Sequence, residues 1–237
     1  MIINMWSGPR NISTAMMRSF ENRVDTYVVD EPFYAYYLKK KGLKHPMYKE
    51  IIANYETDYN KIINNITSDT NKIVFIKHMT QHINLDSDIS WINKGKNIFL
   101  LRDPIKVIKS YIKKNNIINS SDIGFPEQLK IFKYVKKSNK SNFVVVNADY
   151  LLINPKLILS EICKNFQIKF DNRMLSWESG HRSSDGIWSK IWYKNVIKSE
   201  KFQLQKTKKI EIPTKYNIIY EECLEIYKEL NEHSIIL

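Results

Sequence analysis

The sequence predicts an α/β protein, three layers deep (α/β/α), with helices on both faces of a five-stranded, mostly parallel sheet. Three observations lead there. Five short runs rich in β-branched residues alternate with amphipathic helical patterns, the order expected of a sheet covered on both sides. Most of those runs are apolar almost throughout, as strands buried on both faces are. The chain has 237 residues, 43% apolar and 26% charged, enough for one sizeable core and suited to a single domain over 1–237.

The first strand is Ile2 to Trp6, and Ser13 to Arg23 follows as a helix. Thr26 to Asp30 is the second strand, with helices over Pro32 to Lys41 and Tyr48 to Ile66 after it. Ile73 to Lys77 and Asn97 to Leu101 are the third and fourth strands. Asp103 reads as an N-cap and Pro104 as the first residue of a helix to Lys114. Asn115 to Gly124 is a polar loop, Pro126 to Lys137 a helix, and Phe143 to Asn147 the fifth strand. Pro155 to Phe166 and Tyr216 to Leu230 complete the helices. Residues 177–202 carry three tryptophans and two glycines with weak periodicity. They are too apolar for a linker, so they are expected to pack over something, as a lid would.

Composition excludes several classes. Aromatics are frequent and no long polar tract occurs, which excludes disorder as the main character. The longest apolar runs, such as Ile98 to Leu101, fall far short of the roughly 20 residues of a membrane span. No charged and apolar leader precedes the first motif, so a cytoplasmic location is expected. Cys163 and Cys223 sit in helical patterns and read as small buried residues of a reducing compartment. The net charge is +12, but 31 of the 37 basic residues are lysine, spread along the chain. That pattern fits solvated faces better than a nucleic-acid interface, so no nucleic-acid partner is expected. The field still favours a small polyanion.

The first strand runs into Ser7-Gly8-Pro9-Arg10-Asn11-Ile12-Ser13-Thr14 and then a helix. Strand, tight turn and helix start bring backbone N–H groups together on an anion. Arg10 adds a planar cation, and Ser13 and Thr14 add hydroxyls. The run lacks the Gly-x-x-x-x-Gly-Lys-Ser/Thr pattern and offers no Lys-Ser/Thr pair to hold magnesium. An ordinary capped helix explains the motif equally well. Further on, Arg102 stands where the fourth strand ends, and Ser110 lies eight residues later, about two turns into the next helix. The pair could share one phosphate. Taken alone, a surface Arg–Asp pair and an exposed helix serine are the simpler reading.

Together the two sites resemble those of sulfotransferases that use 3′-phosphoadenosine-5′-phosphosulfate, which have a P-loop-type fold. The stretch from Met5 to Arg18 and the run Asp30-Glu31-Pro32-Phe33 are similar to a bacterial sulfotransferase-like branch, sometimes fused to aminotransferase domains. The similarity runs from the first strand to the region of Trp188. It implies that Pro9, Arg10, Asn11, Ile12, Ser13 and Thr14 hold the 5′-phosphosulfate, and that Arg102 and Ser110 hold the 3′-phosphate at the ligand's opposite end. It implies that Arg182 and Gly186 belong to a late loop closing over the nucleotide. One departure stands out: the family loop usually has Gly where Ile12 stands and Ser where Asn11 stands. A β-branched residue resists positive φ, so the loop is expected to turn differently or to place Asn11 in the left-handed region.

The implied reaction is in-line sulfuryl transfer to the oxygen or nitrogen of a small-molecule acceptor, without a metal. Arg10 would meet the charge on the leaving phosphate. Glu31, at the end of the second strand, and His78, at the end of the third, are both candidates for the base, with Lys77 as a second cation. Against these stand a helix-start charge for Glu31 and a satisfied buried residue for His78. His82 follows His78 by four, but no third metal ligand is evident. A divergent nucleotide kinase of the same fold and a noncatalytic nucleotide-binding module are the alternatives. Neither acceptor identity nor oligomeric state is legible.

Overall fold

The computed structural model describes residues 1–68, 71–138, 142–204 and 211–236. Its sheet consists of β1 (Ile2–Ser7), β2 (Thr26–Asp30), β3 (Ile73–Met79), β4 (Lys96–Leu101) and β5 (Phe143–Asn147). All pairs are parallel and the order is β2-β3-β1-β4-β5. The helices are α1 (Ser13–Glu21), α2 (Tyr34–Lys41), α3 (Tyr48–Asn54), α4 (Tyr59–Ile66), α5 (Pro104–Tyr111), α6 (Phe125–Ser138), α7 (Ala148–Ile153), α8 (Pro155–Phe166), α9 (Ser189–Trp192) and α10 (Asn217–Asn231).

The alternation of side chains along each strand divides the interior in two. On one face Ile3, Met5, Phe75, Ile98 and Leu100 pack against Met16, Met17 and Phe20 of α1 and Ile158, Leu159 and Ile162 of α8. On the other, Trp6, Ile76, Phe99 and Leu101 pack against Ile62 and Ile66 of α4, Ile131, Phe132 and Val135 of α6, and Leu230 of α10. These are the three layers, and no described helix is long and apolar enough to cross a membrane.

Strand order decides where a ligand can enter. The chain places β2 and β3 on one side of β1 and β4 and β5 on the other, so the order reverses between β1 and β4. Loops leaving the carboxyl ends of these two strands part there and leave a crevice. Gln128 of α6 spans its floor, donating from Nε2 to Trp6 O at 2.9 Å and Leu100 O at 3.1 Å.

Local chemistry accounts for the departures from the sequence reading. The expected helix over Tyr48 to Ile66 is two helices. Tyr55 is extended (φ −124°), Glu56 accepts from Thr57 N and Asp58 N, and Asp58 then caps α4 through Lys61 N. A further helix, α7, follows β5 directly because Asn147 accepts from Asp149 N as an N-cap. Asn115 to Gly124 is only partly irregular. Ser120–Ile123 form a 3₁₀ turn with a reciprocal Asn119–Asp122 capping box, and Ser120 and Ile123 are buried.

That turn lies against the exit of β1. A Cβ on Gly8 would stand 2.1 Å from Ile123 O, a backbone atom that cannot swing away. Gly8→Ala is therefore expected to destabilise the fold by about 2–3 kcal/mol through overpacking. Urea unfolding measures this, and an unchanged midpoint would contradict it.

Candidate active site

Leaving β1, the loop turns through Arg10 (φ 68°) and Ile12 (φ 58°), two left-handed residues on either side of Asn11. Of the two expectations for this loop, a left-handed Asn11 is not met, and Ile12, expected to resist positive φ, adopts it. Its side chain packs against the core below α1, and that contact holds a conformation β-branched residues resist. Ile12 is the N-cap of α1 and makes no side-chain cap bond, so nothing from that residue covers the first-turn N–H groups. Ser13 and Thr14 stand in that first turn.

Arg10 and Arg102 meet at the crevice. Arg102 Nη1 donates to Arg10 O at 2.7 Å, and Arg10 Nε donates to Ser110 Oγ at 2.9 Å. Burial lowers the pKa of both guanidinium groups, and for Arg102 the neighbouring Arg10 adds to this while Asp149 opposes it. Among the described residues neither arginine forms an ion pair, and Arg102 Nε and Ser7 Oγ are buried without a hydrogen-bond partner. Two adjacent, half-buried cations with donors to spare suit a doubly charged oxyanion. The sequence placed Arg10 and Arg102 at opposite ends of the ligand; the structure brings both guanidinium groups to the Ser110 end. Lys114, read in the sequence only as a helix end because it lies in a lysine-rich stretch, stands nearby. Its pKa is lowered by burial, Arg10 and Lys194, and its Nζ donates to Ile191 O at 3.1 Å beside the Trp192 ring.

The acid–base candidates lie toward β2 and β3. Glu31 follows β2 in a left-handed turn (φ 44°) that directs its carboxylate inward. Its Oε1 accepts from Lys77 Nζ at 2.6 Å, and its Oε2 lies 4.0 Å from His82 Nδ1. Burial raises the Glu31 pKa, with Lys77 opposing and Asp30 assisting. Lys77 is fully enclosed and its three N–H groups go to Asp30, Glu31 and Tyr193. It has no donor left for a leaving group, so the role of second cation does not fit it.

His78 does not reach this cluster either. Strand alternation turns it to the opposite face from Lys77, where it stacks on Trp6 at 4.2 Å and its Nε2 pairs with Asn4 Oδ1 at 3.0 Å. Burial pushes its pKa down to about 3. It is a core residue, and of the two base candidates the geometry leaves Glu31. His82, in the turn after β3, is sandwiched between the rings of Tyr34 and Tyr37 at 4.8 and 4.6 Å.

Arg182 and Gly186 lie away from Arg102. The strap they belong to docks on α1 and the end of β2: Arg18 Nη2 donates to Asp185 Oδ2 at 2.7 Å, Ser184 Oγ donates to Glu21, and Gly186 N donates to Asp30 Oδ2 at 3.0 Å. Arg182 donates from Nη2 to Glu178 O. The Arg182–Gly186 part of the strap therefore closes over the Asp30–Glu31–Lys77 cluster, while Ile191 and Trp192 further along it meet Lys114. Trp188 and Tyr193 are buried, 1% and 5% exposed, with the Tyr193 hydroxyl on Lys77 and Asp30. A cavity of about 350 Å³ lies at the outer edge of β2, lined by Val28, Asp30, Ile62, Glu56, Ser184 and Gly186 among others. Among the described residues no group of three side chains could hold a metal.

This architecture is that of the sulfotransferase-like α/β fold. Two solved structures share it: the sulfotransferase domain of the Synechococcus PCC 7002 olefin synthase (TM-score 0.53, 14% identity, 96% of this chain and 94% of that one) and a sulfotransferase from Alicyclobacillus acidocaldarius (TM-score 0.54, 8% identity, 98% and 96%). The chain belongs to the sulfotransferase domain family, whose model matches residues 1–219. It is also similar to branched-chain-amino-acid aminotransferase-like proteins 1 and 2 of Arabidopsis thaliana, 30% identical over 234 residues, which are 98% of this chain. The chain spans 42% of the length of these two relatives.

Proposed function

We propose that the protein transfers a sulfuryl group from 3′-phosphoadenosine-5′-phosphosulfate to the oxygen or nitrogen of a small-molecule acceptor. The observation that carries this reading is the meeting of Arg10, Arg102 and Ser110 at the β1/β4 crevice, where neither arginine forms an ion pair among the described residues. A terminal phosphate there would accept from Arg102 Nε and Ser110 Oγ and would balance two cations that otherwise repel.

The remaining roles follow from position. The N-terminus of α1, with Ser13 and Thr14, faces the phosphosulfate end and stabilises charge on the departing phosphate. One strand, β3, separates β1 from β2, which sets Glu31 about 10 Å from the loop. That distance admits a sulfuryl group and the attacking atom. As the acceptor oxygen bonds to sulfur, the bond from sulfur to the bridging oxygen breaks, and Glu31 takes the acceptor's proton.

The test begins with binding. Calorimetry with adenosine 3′,5′-bisphosphate is expected to give a micromolar or tighter Kd, on the order of 8 kcal/mol. No heat at millimolar ligand would sink the reading. Incubation with labelled phosphosulfate and a metabolite extract, followed by mass detection of added sulfate, then reports transfer. Tight binding without any transfer across a broad acceptor screen would favour the noncatalytic module.

A further inference from the structure

We propose that Tyr193, outside every phosphate-binding position, is a positioning residue for the acid–base centre: its hydroxyl completes the hydrogen-bond shell that holds Glu31 and Lys77 in place. The bonds around it close without remainder. Lys77 has three N–H donors and spends them on Asp30 Oδ1 at 2.9 Å, Glu31 Oε1 at 2.6 Å and the Tyr193 hydroxyl. The phenol oxygen accepts from Lys77 and from Trp188 Nε1 at 3.3 Å. Its single proton points to Asp30, 2.8 and 2.7 Å from the two carboxylate oxygens, with Glu31 Oε1 at 3.4 Å as the next acceptor. Asp30 takes its remaining bond from Gly186 N of the same strap.

The groups that face Glu31 come from five surrounding elements: Asp30 on β2, Lys77 on β3, His82 in the turn after β3, Tyr34 on α2 and Tyr193 on the strap. Among the described residues Lys77 donates to Glu31, and Tyr193, its proton on Asp30, acts on Glu31 through Lys77 and Asp30. The strap has anchors of its own at Arg18–Asp185, Ser184–Glu21 and Gly186–Asp30. Removing one hydroxyl at Tyr193 therefore leaves the strap docked and changes the polarity of the centre alone. Without that hydroxyl the shell around Lys77 and Asp30 loosens, the ionised form of Glu31 is held less well, and the Glu31 titration moves upward.

The inference rests on the sulfuryl-transfer reading only for what Glu31 deprotonates. Its test needs no turnover. The protein is labelled with ¹³C at glutamate carboxyls, and the Glu31 resonance is identified by its loss in Glu31→Gln. Tyr193→Phe is expected to raise the Glu31 midpoint by an amount resolved above the scatter of repeat titrations. An unchanged midpoint accompanied only by lower thermal stability would reduce Tyr193 to packing and overturn the proposal. A second measurement on the unaltered protein guards against a variant that does not fold. A hydroxyl proton donated to a buried carboxylate exchanges slowly with solvent and gives a resolved Tyr193 signal, and rapid exchange of that proton would also overturn the proposal. In a transfer assay the acidic limb of kcat should shift with the titration while KM for phosphosulfate stays the same.

Discussion

Replacing Arg102 by alanine is expected to weaken adenosine 3′,5′-bisphosphate binding by roughly 100-fold while leaving the fold as stable as before. The two halves of this prediction have one cause. Arg102 is half-buried beside a second guanidinium, has no ion-pair partner among the described residues, and keeps Nε unpaired. Such a charge costs folding energy. Alanine removes that cost and loses one bond, Nη1 to Arg10 O at 2.7 Å, so the changes in stability largely offset. With a phosphate present the balance reverses. The anion then loses charge-assisted bonds worth about 2–3 kcal/mol, which is the factor of 100. Arg102→Lys should fall between, because an ammonium keeps the charge but not the planar fork. Calorimetry and thermal unfolding on the same preparations decide the matter. Equal affinity in Arg102→Ala would remove Arg102 from the site.

What the sequence made legible were features with a local cause. The five strands and the Asp103-Pro104 helix start are written in adjacent residues, and the structure keeps them within two residues of their expected bounds. The proximity of the Arg10 loop to Arg102 and Ser110 also followed, because adjacent parallel strands bring their carboxyl ends together. The strap did not. Its destination is set by pairs such as Arg18–Asp185 and Asp30–Gly186, 167 and 156 residues apart, which no periodicity records. Ile12 was misjudged for a related reason: local sterics argue against a left-handed isoleucine, and its packing into the core below α1 outweighs them. With His78 a usable signal was passed over. Consecutive residues of a strand face opposite ways, so Lys77 and His78 could not both reach one site on the same side of the sheet. His82 was weighed only as a metal ligand, and its approach to Glu31 depends on the turn that ends β3.

Glu31→Gln should separate activity from stability in opposite directions. As base, Glu31 acts only when ionised, and burial raises its pKa above the ordinary carboxylate range. The transfer rate should therefore climb as pH rises through that raised value and then level off. Glutamine cannot take the proton, so kcat should fall on the order of 100- to 10,000-fold and the climb should vanish. Stability has the reverse sign. Because the folded-state pKa lies above the unfolded one, the folded protein binds more protons across the interval between them, and stability falls as pH rises through the folded value. The buried centre sets two carboxyl groups against the single ammonium of Lys77. Glutamine leaves Asp30 and Lys77 as a matched pair and still offers an oxygen to Lys77. Glu31→Gln should thus be at least as stable as the parent at pH 7, with a flatter pH dependence above the unfolded carboxylate value. A variant that lost stability at neutral pH would mean that Glu31 serves mainly to neutralise Lys77, and a variant that kept its turnover would place the base elsewhere.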